Sequence, residues 1–329
     1  MERDLALIEL LADGHIHSGE AIAGHLGITR AAVWKALRKT TDAFDLPLQS
    51  VRGRGYRLEA PLELLRAERL LAGLSDAGRQ RLAALELHPR IDSTNAFLMR
   101  AALAGAPSGT ACLAERQTAG RGRRGRAWIS PFGANLYLSL LWRYPLAPAA
   151  LGGLSLAAGA VVAEVLSASG AEGLSLKWPN DILWRGRKLA GLLLEVAGES
   201  QGPSYLVVGL GINFSMVASQ GRAIDQPWVA LDEILSGPPV GRNALAATLL
   251  DALLDALERF GREGLTPFLG GWRSFDAFLG EPVRLLLGDR AIEGRHAGVA
   301  DDGSLLLDTA DGRRVFQAGE VSLRPIAAA

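Results

Sequence analysis

From Gly120 to Leu141 the chain reads GRGRRGRAWISPFGANLYLSLL, with Arg121, Arg123, Arg124 and Arg126 set among Gly120, Gly122 and Gly125 just ahead of an apolar strand. Glycine lets a backbone approach a ligand closely, and successive N–H groups there can form an anion nest. Arginine adds a rigid fork of donors matched to phosphate or carboxylate oxygens. An RNA-binding arm of this composition would repeat and lie in a tail, whereas this stretch is embedded between strand-like runs, so a phosphate-handling loop is the better reading. No GxxxxGK[ST] accompanies it, so it is not a Walker A loop.

Two further clusters point the same way. LKWPNDIL (176–183) ends a strand with Lys177, Asn180 and Asp181, which can aim a cation and a carboxylate into one cleft. GRKLAGLLLE (186–195) places Lys188 just before a strand whose only charge is Glu195. A hairpin lysine is often merely solvated. Beside Lys177 and the arginines, a shared anion site is favoured.

The elements that must position these groups read as an α/β domain. TACLAERQ, NLYLSLLW, LSLKW, LAGLLLEV and YLVVGLGIN are strand-like, and strands and helices are expected to alternate to about residue 272. STNAFLMRAALAG, LGGLSLAAGAVVAEVLSASG and RNALAATLLDALLDALERF have helical spacing, the first capped by Ser93 or Thr94. The apolar run from Pro148 to Glu164 is diluted by Gly, Ser and Ala, and is expected to be a core helix rather than a membrane span. Residues 61–85 suggest a connecting helix followed by a polar break.

Residues 1–60 follow another pattern. RDLALIELLADG places Leu5, Ile8, Leu10 and Leu11 on a helical face and stops at Gly14. Ser18 is placed to cap a second helix carrying Ile22 and Leu26, and Thr29 to cap a third, RAAVWKALRKT, that buries Val33 and Leu37. Arg30, Lys35, Arg38 and Lys39 remain on its solvent side. A strand, a turn at Arg52-Gly53-Arg54-Gly55 and a second strand complete a winged helix-turn-helix, with Ser18, Thr29, Arg30, Lys35, Arg38, Arg52 and Arg54 as candidate DNA contacts. A helical protein-contact module is the competing interpretation.

At 329 residues the chain suggests two or three domains. Lys+Arg and Asp+Glu both number 35, so a polyanionic partner must be met by a local patch such as this one. Cys112 is the only cysteine; it excludes an internal disulfide and a cysteine-rich zinc site, and implies a reducing, cytoplasmic setting. MERDLALIELLADG has early acids and no long apolar core, unlike a signal peptide.

IDSTN, AERQTAGRGRRGRAWISPFGANLYLSL, LKWPNDIL, RKLAGLLLE and GLGIN, in that order, resemble the biotin–protein ligases, and the basic winged helix resembles the bifunctional kind that also represses the biotin operon. The resemblance implies a winged helix at 1–62, a mixed-sheet α/β ligase domain of the class II synthetase-like type at 63–276, and a small SH3-like barrel at 277–329. It implies biotin and ATP as substrates, Mg2+ with the ATP, biotinyl-5′-adenylate as intermediate, and a biotin carboxyl carrier domain, operator DNA and a ligand-dependent homodimer as partners. No membrane is involved.

Residue by residue, it implies that Ser93, Thr94, Asn95 and Gln117 hold the ureido ring, and that Arg121, Gly122 and Arg123 form the biotin loop. Arg123 meets carboxylate and phosphate, and Lys188 the carboxyl or bridging phosphate. Trp128 stacks on adenine, Lys177, Asn180 and Asp181 form the nucleotide and metal side, and Asn213 lies near the adenine. No metal ligands are assigned. Arg324, placed after the final strand, reaches the ATP or is a solvated tail residue. The C-terminal strands carry turn signals at Gly288-Asp289, Asp302-Gly303 and Asp311-Gly312. A lipoate ligase, a regulator with a dead ligase domain, and a ligase that no longer represses remain the alternatives.

Overall fold

The structure is a computed structural model that describes residues 2–287, 290–318 and 321–325. The N-terminal module holds α1 (Glu2–Leu11), α2 (Gly19–Leu26), α3 (Arg30–Phe44) and the hairpin β1 (Leu48–Val51) and β2 (Gly55–Leu58). Ser18 caps α2 by accepting from the Ala21 N–H, and Gly27, at φ 62°, ends it. Thr29 occupies the cap position of α3, but its hydroxyl makes no capping hydrogen bond. Leu7, Ile8, Leu11, Ile22, Val33, Leu37 and Leu58 form the core. Leu5 and Leu10 only pack against it, and Leu7, absent from the expected face, is fully buried because the helix turns its inner stripe by one position. Arg30, Lys35, Arg38 and Lys39 are exposed on α3, and Arg52 and Arg54 on the hairpin tip. Trp34 stacks on Tyr56 at 5.9 Å, joining α3 to the β1–β2 hairpin.

The segment after the wing departs from the expected single connecting helix. Residues 61–66 form neither helix nor strand and lead into two short helices, α4 (Ala67–Ala72) and α5 (Asp76–Arg81), and then β3 (Ala84–His88). The elements α6 (Thr94–Leu103), β4 (Thr110–Ala114), β5 (Leu136–Tyr144), α7 (Leu154–Ala168), β6 (Leu174–Lys177), β7 (Asp181–Trp184), β8 (Arg187–Gly198), β9 (Ser204–Ile212), α8 (Arg242–Glu263) and α9 (Thr266–Ser274) complete the central domain.

Its sheet has seven strands in the order β3-β4-β5-β9-β8-β7-β6, with β3 parallel to β4 and the other pairs antiparallel. Strands and helices do not alternate throughout, because β6 to β9 follow one another as hairpins; Arg185 (φ 46°) and Gly186 (φ 78°) make the tight turn between β7 and β8. Along β5, Leu136, Leu138 and Leu140 join α7 and α8 in the main core, while Leu141 joins Leu98 and Ala102 of α6 on the other face. The helix of the apolar run is long and apolar enough to cross a membrane, yet it packs as a core element, with nine residues of α7 buried between Leu154 and Leu166. Cys112 is fully buried in β4, and burial pushes its thiol well above the usual range, so it is no nucleophile.

The last module is an antiparallel sheet of β10 (Pro282–Leu287), β11 (Arg290–Val299), β12 (Leu305–Thr309), β13 (Gly312–Phe316) and β14 (Val321–Pro325), ordered β13-β12-β11-β10-β14, in keeping with the small SH3-like fold. Gly303 (φ 83°) and Gly312 (φ 106°) serve the expected turns, while the Gly288-Asp289 turn lies outside the described residues. The module is fastened to the central domain by the Trp178 indole N–H, which donates to the Gly303 carbonyl at 3.0 Å, and by the buried pair His296–Asp276 at 2.8 Å.

Candidate active site

A cavity on the α6 face of the sheet is lined by Ser93, Thr94, Asn95, Gln117, Arg121, Gly122, Arg123, Trp128, Lys177, Asn180, Asp181, Lys188, Asn213 and Arg324. The structure therefore brings together every residue singled out from the ligase part of the sequence. Arg324 lies within β14, not after the last strand, and so the C-terminal module contributes to the cavity wall.

One part of the lining is neutral and fully interlocked. Ser93 caps α6, and the Thr94 N–H and hydroxyl both donate to Gln117 Oε1, at 2.9 and 3.1 Å. Ser139, from the middle of β5, sits 2.7 Å from Thr94 Oγ1 and 2.6 Å from Asn95 Oδ1. Asn95 Nδ2 donates to the Leu193 carbonyl and to Glu195 Oε2, and Glu195 also meets Arg121 at 3.7 Å. Such a set offers donors and acceptors of no net charge, suited to an uncharged urea-like group. Ser139 and Glu195 were not assigned from sequence. A serine inside an apolar strand, and a lone acid in another, were the available signals.

The other part is cationic. Arg121, Arg123, Arg124, Arg126, Lys177, Lys188 and Arg324 line the cavity against the acids Asp181 and Asp225. Asp181 stands across β6 and β7 from Lys177, and its carboxylate is 2.7 Å from Lys188 Nζ and 3.6 Å from Lys177 Nζ. Lys188 belongs to β8 itself rather than preceding it. Burial alone pushes the Asp181 carboxyl up, but the two ammonium groups outweigh it and hold it below the usual range. Burial lowers Lys177 to about 8, opposed by Asp181 and helped by Arg324 and Lys188. Arg123, half-buried, donates to Asn180 Oδ1 at 3.0 Å, and Asn180 in turn donates to the Leu192 carbonyl at 2.7 Å.

Trp128 lies between these parts, with Lys188 Nζ 5.4 Å from its ring centroid and its indole N–H buried without a hydrogen-bond partner among the described residues. It fits there because Gly211 has no side chain: a Cβ would come within 2.6 Å of the ring. Asn213 donates to the Lys188 carbonyl at 3.2 Å, so it braces the Lys188 backbone. Ala223, Ile224, Asp225, Gln226 and Trp228, from the stretch ahead of α8, also line the cavity. The backbone of this stretch pairs with that of Lys188, whose N–H donates to the Pro227 carbonyl at 2.8 Å.

The low Lys177 value gives a pH prediction. Near pH 8.5–9 much of this lysine is neutral in the free protein, and a bound polyphosphate restores its proton. Nucleotide binding is therefore expected to take up a proton there, and affinity to fall as pH rises past about 8. Calorimetry in buffers of different ionisation enthalpy reads the uptake. An uptake that persists in Lys177→Gln would assign it elsewhere.

Comparison with known proteins places this geometry. Residues 87–213 match the model of the biotin/lipoate A/B protein ligase family, residues 278–324 the biotin protein ligase C-terminal domain, and residues 3–57 an HTH domain. The bifunctional ligase/repressor BirA of Salmonella typhimurium is 45% identical over 320 residues, covering 97% of each chain. The biotin–[acetyl-CoA-carboxylase] ligase of Paracoccus denitrificans is 35% identical over 239 residues, 70% of this chain and 97% of that protein. Among solved structures, the biotin protein ligase from Aquifex aeolicus in complex with biotin and ATP superposes with a TM-score of 0.63 and 32% identity, over 74% of this chain and all of that one.

Proposed function

The chain belongs to the biotin protein ligase family, and from that premise we propose how its own residues divide the work of an ATP-dependent biotin–[acetyl-CoA-carboxylase] ligase that is also a DNA-binding repressor. The observation that carries this reading is the union, in one cavity, of an interlocked neutral set around Thr94 and Asn95 with a cationic set around Asp181. Biotin needs both, a ureido ring at one end and a carboxylate that must meet ATP at the other.

The biotin carboxylate oxygen forms a bond to the α-phosphorus of ATP, the bond to the β-phosphate bridge breaks, and pyrophosphate leaves. Two anions must approach, so Arg123 and Lys188 neutralise them and gather charge from the phosphoryl oxygens. Ser93, Thr94, Asn95 and Gln117 hold the ureido ring; Arg121 and Gly122 shape the loop. Trp128 covers the adenine, with Asn213 beside it, while Lys177, Asn180 and Arg324 face the phosphates. A lysine amine of the carrier domain then attacks the acyl carbon, loses a proton, and AMP departs. The closed loop keeps water from the mixed anhydride.

Asp181 and Asp225 are the carboxylates that line the cavity, and no group of three His, Cys, Asp or Glu side chains gathers to hold a metal ion among the described residues. That donor set suits Mg2+ carried in on the triphosphate, which takes one or two carboxylates beside phosphate oxygens. The domains divide as 1–62, 63–276 and 277–329. Purified chain given Mg·ATP, biotin and a carrier domain is expected to attach biotin to one lysine, read by intact-mass spectrometry. A carrier left unmodified by a folded enzyme would refute the transfer.

The exposed cations of α3 and the wing read the operator, and a ligand-bound homodimer presents two such modules so that weak half-site contacts combine. Lys35→Ala is expected to weaken operator binding several-fold and to lower the salt slope by about 1, as Arg30→Ala also weakens it. Fluorescence anisotropy across a salt series measures both. Unchanged affinity at moderate salt would mean that α3 is not the reader.

A further inference from the structure

The most deeply buried charge in the central domain lies outside the cavity. Arg242, the first residue of α8, is 1% exposed, and its guanidinium serves segments that are far apart in sequence. One Nη donates to Glu115 Oε2 at 2.9 Å and to the Asn135 carbonyl at 3.0 Å; the other donates to the Glu63 carbonyl at 2.5 Å. Glu115 directly follows β4 and Asn135 directly precedes β5, so these are the two stems of the loop that carries Arg121 to Trp128. Glu63 belongs to the linker that leads from the winged helix.

The neighbours tighten the same knot. Glu115 Oε1 accepts from the Leu65 N–H at 2.5 Å, and the Glu63 carboxylate accepts from the Arg242 N–H and from Asn243 Nδ2. Asn243 also accepts from the Arg66 N–H at 2.7 Å. Beyond the stem, Asn135 Oδ1 accepts from the Phe214 N–H, next to the Asn213 that braces Lys188. From the loop's far end, Phe132 is buried in the core of the winged helix, 4.8 Å from Phe44.

An apolar pair of like volume would pack about as stably as a buried ion pair, so burial of a guanidinium here speaks for placement rather than stability. Few other side chains reach three acceptors in fixed directions. We propose that Arg242 is a positioning residue, a clasp that fixes both stems of the arginine loop and the winged-helix linker through one buried charge cluster. Loop order over the adenylate and seating of the DNA reader then depend on the same side chain. This rests on the reading of the cavity as an adenylate site.

Limited trypsin digestion tests it, because the loop offers Arg121, Arg123, Arg124 and Arg126 and the linker offers Arg66. The full chain is compared with the double variant Arg242→Met/Glu115→Leu, which removes both charges together, and with Arg242→Lys, which keeps the charge without the fork. Thermal melting checks that each is folded. Cleavage of loop and linker is expected to rise together, about tenfold, in the double variant, and adenylate to dissociate faster by a similar factor. Arg242→Lys should show both effects in smaller measure at unchanged melting temperature, and it decides the matter if the double variant does not fold. Wild-type cleavage in the folded variants, or a rise at one segment alone, overturns the clasp. Failure of the adenylate reading shows differently: biotin and ATP would then leave wild-type loop cleavage unchanged, while the ligand-free comparison still tests the clasp.

Discussion

Arg123→Gly is expected to release biotinyl-5′-adenylate on the order of a hundredfold faster than the parent chain, while a folded ligase still forms it. The argument starts from the loop's geometry. Gly122 and Arg126 close a short turn, with the Gly122 N–H donating to the Arg126 carbonyl at 2.7 Å, and Arg124 at its tip takes φ 59°. That turn directs the Arg123 guanidinium inward, where it reaches Asn180 at 3.0 Å, and it is half-buried although its neighbours Arg124 and Arg126 are exposed. A desolvated fork facing a phosphate makes strong paired hydrogen bonds that bulk water does not replace. Removing it also removes the bond that holds the loop to Asn180. The adenylate is then both less tightly held and less well covered. Trapping released adenylate with a bystander amine, in single-turnover assays, measures the leak. An unchanged dissociation rate would show that the loop closes without this contact.

Lys188→Gln should lower the rate of adenylation by about a hundredfold to a thousandfold, with a much smaller effect on biotin affinity. Lys188 is held from three sides: Nζ on Asp181 at 2.7 Å, the aromatic face of Trp128, and its backbone paired to Pro227 and Val229. A cation so placed is organised before the substrates arrive and stabilises charge that grows as the phosphoryl group transfers. The substitution also leaves Asp181 with Lys177 as its nearer ammonium, so part of the loss comes from a poorly compensated carboxylate in the cavity. Separate measurement of biotin binding and of pre-steady-state adenylate formation divides the effects. Equal losses in both would make Lys188 a ground-state binding residue.

Much of the site was legible because its chemistry is written in short runs. Glycine beside arginine, Lys177 with Asp181, and Ser93-Thr94-Asn95 at a helix start are each unusual enough to be noticed. The winged helix was legible from helical spacing, the Ser18 cap and the Arg52–Arg54 tip. What stayed hidden depends on distant pairing. Ser139 is an unremarkable polar residue until β5 brings it beneath Thr94 and Asn95. Phe132 reads as an ordinary loop aromatic, yet it completes the core of another module. The segment 61–85 has helical composition, but residues 61–66 form no helix: Glu115 accepts from the Leu65 N–H and Asn243 from the Arg66 N–H, distant partners that no local propensity contains. The hairpin strand Asp181–Trp184 is not among the strands read from sequence, because four residues carry too little periodicity to stand out.

The most direct test of the central claim is exchange of labelled pyrophosphate into ATP by the intact chain, with biotin and lipoate as parallel acids. A cavity that pairs the neutral hydrogen-bonding set around Thr94 and Asn95 with Arg123 and Lys188 predicts exchange that depends on biotin and is not supported by lipoate. Exchange with lipoate in place of biotin, or with neither acid, would contradict it.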